Sequence, residues 1–125
     1  MIKGIGADLM DASRLEYLRG NYDDPFIKKV YTAAERDAAL AHPDPVLYLA
    51  GRFTAKEAVI KALGLIPGRV SFKEIETLNQ TDGQPFVALT GKTAEFAEGA
   101  GVSRIFLSLS NDANMILSFA VCESE

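Results

Sequence analysis

The fifteen residues from Ala50 to Gly64, AGRFTAKEAVIKALG, decide how the rest of the chain must be arranged. They read as the second half of a helix running from Pro45 to Leu63. Asp44 can cap that helix and Pro45 suits its first position. Gly64 suits the left-handed residue just past its end. Leu49, Phe53 and Ile60 recur at helical spacing and mark a buried face. Glu57 lies on that same face, one turn after Phe53. A carboxylate in an apolar row calls for a partner, because burying it alone is costly. Lys61 follows at i+4, so one reading is a surface salt bridge worth about 0.3–0.5 kcal/mol. The other is a metal ligand with a phosphate-binding lysine beside it. The pattern leaves both open.

Outward from this helix, the N-terminal side begins with a strand over Ile2 to Leu9. Gly4 and Gly6 allow another backbone to come close, or a bulge. Asp8 ends the strand, as a local turn acid or as a metal ligand where side chains converge. Asp11 can cap a helix of about Ala12 to Arg19, with Leu15 and Leu18 inward and Arg14 and Arg19 nearer the surface. A short helix from Phe26 to Val30 carries Lys28 and Lys29, a small basic spot. Thr32 and Glu35 form a capping box that opens a helix from Ala33 to Ala41. On the C-terminal side, strands are predicted over the latter half of Ser71 to Leu78 and over Pro85 to Leu89, joined by a turn at Thr81-Asp82-Gly83. A short helix from Thr93 to Ala97 precedes a hairpin of Arg104–Ser110 and Met115–Cys122, joined by Asn111 to Asn114. The expected fold is a single α+β domain over residues 1–125: an N-terminal strand and helices around one long central helix, with a mostly antiparallel sheet.

Bulk properties narrow the chemistry. The chain has 125 residues, 48% of them hydrophobic, and a net charge of −4. That is enough for a real core, and the acidic balance argues against a general nucleic-acid binder. No apolar run has membrane-spanning length. The opening residues read as a strand rather than a signal peptide. One cysteine permits no internal disulfide and fits a reducing cytoplasm. One histidine, His42, disfavours zinc clusters and Ser-His-Asp catalysis. Any metal is expected to be a hard cation on carboxylates.

Three local patterns then line up in order: GIGADL with Arg14 behind it, GRFTAKEAVIKALG, and LSLS near the C-terminus. YTAAE and DGQP fall between them. Together they resemble the holo-acyl-carrier-protein synthase family of phosphopantetheinyl transferases, over nearly the whole chain. The resemblance implies transfer of the 4′-phosphopantetheine arm of coenzyme A to a serine of apo acyl carrier protein, with release of adenosine 3′,5′-bisphosphate. It implies Mg2+ held by Asp8 and Glu57, and Lys61 near the coenzyme A phosphates as the third catalytic residue. Arg52, Lys61, Gly64, Gly83, Pro85, Ser110 and Asn111 fall at coenzyme A positions. Arg14, Leu18, Arg19 and Lys28 fall on the surface expected to meet the carrier protein. A homotrimer with sites at subunit boundaries is expected, acting in the cytoplasm without nucleic acid or membrane. One departure stands out: relatives often have His directly after the LSLS strand, where this chain has Asn111. An amide can hydrogen-bond a phosphate but carries no charge. The alternatives are a coenzyme A or carrier-protein binding module with little catalysis, and a structural trimer in which Glu57 and Lys61 pair at an interface.

Overall fold

The computed structural model describes residues 1–125. Its axis is helix α3, Pro45–Leu63. Asp44 Oδ1 accepts from the Leu47 amide at 3.2 Å, and Gly64 closes the other end at φ 74°. Most of α3 is enclosed on all sides; Val46, Leu49, Val59 and Ile60 are 1% exposed or less. Five strands and three further α-helices surround it: β1 (Ile2–Asp11), α1 (Pro25–Val30), α2 (Ala33–Leu40), β2 (Ile75–Asn79), β3 (Pro85–Leu89), α4 (Gly91–Gly99), β4 (Arg104–Asp112) and β5 (Met115–Glu123). The α+β expectation holds, with all strand pairing antiparallel.

The main sheet has the order β1-β5-β4, while β2 and β3 form a separate ribbon. Alternation along each strand sends one set of side chains toward α3 and the other outward. Met10, Ile116, Ala120 and Cys122 are the buried inner set. Ile5, Leu9, Phe106, Leu117 and Phe119 point outward and are 41–61% exposed. Gly4 and Gly6 sit where β1 crosses α3. A Cβ on Gly4 would lie 2.0 Å from the Ala62 carbonyl oxygen, and one on Gly6 would lie 2.1 Å from that of Ala58. The expected close backbone approach is therefore real, and helix carbonyls cause it.

Four local expectations change. Strand β1 runs on to Asp11, its ladder with β5 unbroken from Gly4 onward, so Asp8 lies within the strand rather than at its end. The segment after β1 is a 3-10 helix, Ala12–Leu18, rather than an α-helix. Strand β4 continues through Asn111 and Asp112, which pair with Ile116 and Met115, leaving a tight turn at Ala113-Asn114. Ladder hydrogen bonds come from the backbone, so polar side chains at a strand end do not stop pairing. Ala113 takes the left-handed conformation there, at φ 52°. Helix α4 is longer than the Thr93–Ala97 expected.

The capping box at Thr32 and Glu35 forms as expected, but Glu35 does more. It is fully buried and accepts from Lys56 Nζ at 2.8 Å and from the Thr77 amide at 2.8 Å. Lys56, also fully buried, donates its other two protons to the carbonyls of Phe72 (2.9 Å) and Ile75 (2.6 Å). Each ammonium proton thus has an acceptor, which is what a buried cation requires. This knot fastens the β2–β3 ribbon to α2 and α3. Burial still pulls the Lys56 pKa below that of an ordinary lysine, against the opposing pull of Glu35.

Candidate active site

The first half of the site lies where the β1 edge of the sheet meets α3. Asp8 pairs with Ser118 in the ladder and, two residues after Gly6, faces the helix. Its side chain is 21% exposed, and its Oδ1 lies 3.4 Å from Lys61 Nζ. Lys61 also donates to the Ala7 carbonyl at 2.9 Å. The Glu57–Lys61 surface pair, one of the two readings of this spacing, does not form; the lysine reaches across to β1 instead. Glu57 remains half-buried. Burial and then the charge of Asp8 push its pKa above the usual carboxylate range, with Lys61 pulling the other way. Two acids and a lysine are thus brought together, and the acids repel each other.

No group of three or more His, Cys, Asp or Glu side chains is assembled for a metal. Two carboxylates nonetheless suit Mg2+, which commonly takes one or two from protein and fills its octahedron with phosphate oxygens and water. The mutual repulsion of Asp8 and Glu57 is the charge state that such a cation relieves.

The second half lies at the opposite, β4, edge. Arg52 is 7% exposed. Its guanidinium stacks 4.4 Å over the Tyr48 ring, and Nη2 donates to Asn79 Oδ1. Nε and Nη1 are buried with no acceptor. Buried donors without partners are rare, and a guanidinium with two unpartnered nitrogens is shaped for an anion. Two adjoining hollows among those that Arg52 lines hold expected site residues. One also takes in Ser110 and Asn111, the other Gly83 and Pro85. No acidic side chain lines either hollow. Asn79 holds the ribbon's turn as well, its Nδ2 donating to the Gly83 carbonyl at 2.7 Å.

Arg52 and Glu57 are five residues apart, so they leave α3 roughly 140° apart around its axis. β1 and β4 are likewise the two edges of one sheet. The two halves of the site therefore open on different flanks of the chain.

Other expected residues fare differently. Gly64 lines neither hollow; its left-handed conformation ends α3. Leu18 is 0% exposed within the core, so it cannot be a carrier-protein contact. The spacing that turns Leu15 inward turns Leu18 inward too, and that correction was available from periodicity. Arg14 and Lys28 are exposed. Arg19 is exposed but engaged, with Glu16 at 2.5 Å and Asp44 at 3.2 Å. Sequence reasoning missed Lys56, Asn79 and the full role of Glu35. Lys56 directly precedes Glu57 in a run otherwise read for its buried face, and only the positions of Phe72 and Ile75 reveal its partners.

Comparison with known proteins identifies the family. The sequence profile of the 4′-phosphopantetheinyl transferase superfamily matches residues 4–117. The chain is 38% identical over 124 residues to a holo-[acyl-carrier-protein] synthase of Geotalea daltonii, covering 98% of this chain and 99% of the relative. Its fold matches the crystal structure of holo-[acyl-carrier-protein] synthase from Neisseria meningitidis with a TM-score of 0.88 and 35% identity, over 99% of this chain and 100% of the other. It also matches a holo-(acyl-carrier-protein) synthase from Bacillus anthracis in complex with CoA (3′,5′-ADP), with a TM-score of 0.79 and 30% identity over 100% and 99% of the two chains. With the family profile spanning residues 4–117 and a relative 38% identical over nearly the whole of both chains, the chain belongs to the 4′-phosphopantetheinyl transferase superfamily.

Proposed function

We propose that this protein transfers the 4′-phosphopantetheine group of coenzyme A to a serine of apo acyl carrier protein, releasing adenosine 3′,5′-bisphosphate. The observation that carries the reading is the pairing of two repelling carboxylates and a lysine on one flank with a buried arginine, two of its nitrogens unpartnered, on the other. Coenzyme A has two anionic parts, a diphosphate and a ribose phosphate; Asp8, Glu57 and Lys61 with a cation suit the first, and Arg52 suits the second.

Asp8 and Glu57 are the residues that would hold Mg2+. When bound, the ion would polarise the phosphoryl group and offset charge on the leaving phosphate. Lys61 supplies a fixed positive charge beside the same phosphates. The serine hydroxyl attacks the phosphorus that bears the pantetheine arm. The P–O bond to the adenylyl phosphate breaks, and the serine proton passes to solvent or a nearby carboxylate. Arg52, Gly83, Pro85, Ser110 and Asn111 bind the nucleotide end. Arg14 and Lys28, with Lys29 beside Lys28, meet the carrier protein.

A complete site is built between copies, in a homotrimer. The two halves open on different flanks, so a neighbour's nucleotide cleft can face one chain's acids. The outward face of β1, β5 and β4 offers the apolar surface for that contact; exposed patches of this kind mark association sites. The protein acts in the cytoplasm, where its lone thiol stays reduced. The test is the mass gain on apo carrier protein, with and without a chelator, and light scattering for the trimer. No mass gain with native protein and Mg2+ would leave the binding-only alternative standing.

A further inference from the structure

The only histidine in the chain sits beside the nucleotide cleft. His42 lies in the loop before α3, yet it lines the same hollow as Arg52, Ser110 and Asn111, of about 150 Å3. It also borders a second hollow with Arg52 and Asn79. Its ring packs 5.4 Å from that of Tyr48, whose face carries the Arg52 guanidinium. Imidazole, phenol and guanidinium thus form one row along the cleft wall. His42 Nδ1 accepts from the Asp44 amide at 3.0 Å. That bond assigns the proton of a neutral ring to Nε2, which has no partner within the chain. If the ring takes a second proton, the Asp44 carbonyl at 3.1 Å accepts from Nδ1. The loop therefore keeps Nε2 a donor in both states. The acid in the same loop, Asp44, is engaged by the Leu47 amide and Arg19.

The cleft has no acid to hold a metal, so an anion bound there must be met by N–H donors directly. Arg52 offers those of Nε and Nη1, which are buried and unused. Asn111, in the same hollow, offers no charge. Resting on the proposed reaction, the diphosphate must lie at Asp8, Glu57 and Lys61, because its phosphorus is attacked. The remaining anion of coenzyme A is the ribose 3′-phosphate. We propose that His42 Nε2, together with Arg52, contacts this 3′-phosphate, and that His42 sets the preference for coenzyme A over its 3′-dephospho form.

The test compares native protein with His42→Gln and His42→Lys, using coenzyme A and 3′-dephospho-coenzyme A as donors to apo carrier protein. His42→Gln should raise KM for coenzyme A about tenfold, the size of one charge-assisted hydrogen bond in an open cleft. It should leave kcat within about twofold and the 3′-dephospho substrate unaffected on the same principle. His42→Lys should keep the preference. Calorimetry with adenosine 3′,5′-bisphosphate against adenosine 5′-monophosphate repeats the comparison without turnover, and His42→Gln should weaken only the former. Equal effects on both donors, or none on either, overturn the assignment. Native protein that transfers from neither donor instead overturns the proposed reaction, while the calorimetric arm still judges His42.

Discussion

Replacing Gly6 with Ala perturbs the fold and the site through one contact. The new methyl would stand 2.1 Å from the Ala58 carbonyl oxygen, 2.7 Å from the Ala62 nitrogen and 2.9 Å from Lys61 Cβ. Ordinary contact begins near 3.4 Å, so β1 and α3 must separate by about 1 Å or more. Two of the three obstacles are backbone of an enclosed helix, and neither can rotate aside. Overpacking of this kind typically costs about 1–3 kcal/mol, and the upper end is expected because both partners are regular elements. The same displacement moves Asp8, two residues along the same face of β1, away from Glu57 and Lys61. Misplacement by about 1 Å can cost roughly 10²-fold in rate. Urea denaturation should therefore show a loss of about 2–3 kcal/mol. Transfer by the folded protein should fall about a hundredfold. Gly99→Ala is the control: its Cβ meets nothing within 4 Å, and helix propensity favours Ala slightly. A Gly6→Ala protein with native stability and native transfer would refute the claim that β1 and α3 are held at backbone contact to bring the acids together.

Other outcomes follow from the same contacts. Lys56→Met strands Glu35 in the core and should cost about 3–5 kcal/mol, read as a fall in the denaturation midpoint. Glu57→Gln should abolish Mg2+-dependent transfer while leaving the metal-free protein as stable as native or more so, since it removes the repulsion with Asp8; a collapse of folding would show that the carboxylate is a structural partner instead. Because the folded pKa of Glu57 is raised, its contribution favours the fold most below the usual carboxylate range and is lost as pH rises through the raised value. Thermal midpoints of metal-free protein should show that decline, and Glu57→Gln should flatten it. Asn111→His should preserve or improve coenzyme A use, measured as KM; a severe loss would mean the end of β4 is wired differently. Charge reversal at Lys28 and Lys29 should weaken carrier-protein affinity without changing KM for coenzyme A.

Much of this molecule was legible in its residue order, for local reasons. The bounds of α3 were readable because Asp44, Pro45 and Gly64 act through neighbours within one turn. The capping box and the β2–β3 ribbon were readable for the same reason. Asp8, Glu57 and Lys61 could be named from motif spacing. Which of them touch could not: the i+4 rule pointed Lys61 at Glu57, and the crossing of β1 over α3 turned it to Asp8. The buried Lys56 knot depends on carbonyls sixteen and nineteen residues away, and no periodicity encodes such a partner. His42 looked like a loop residue because a loop is what its neighbours specify; the packing of Tyr48 and Arg52 made it part of a cleft. Sequence alone determined the elements, whose causes lie within a few residues along the chain. Tertiary structure decided the pairings across them and the opposite-edge placement of the site's two halves, because those depend on which backbones can approach, and here two glycines set that distance.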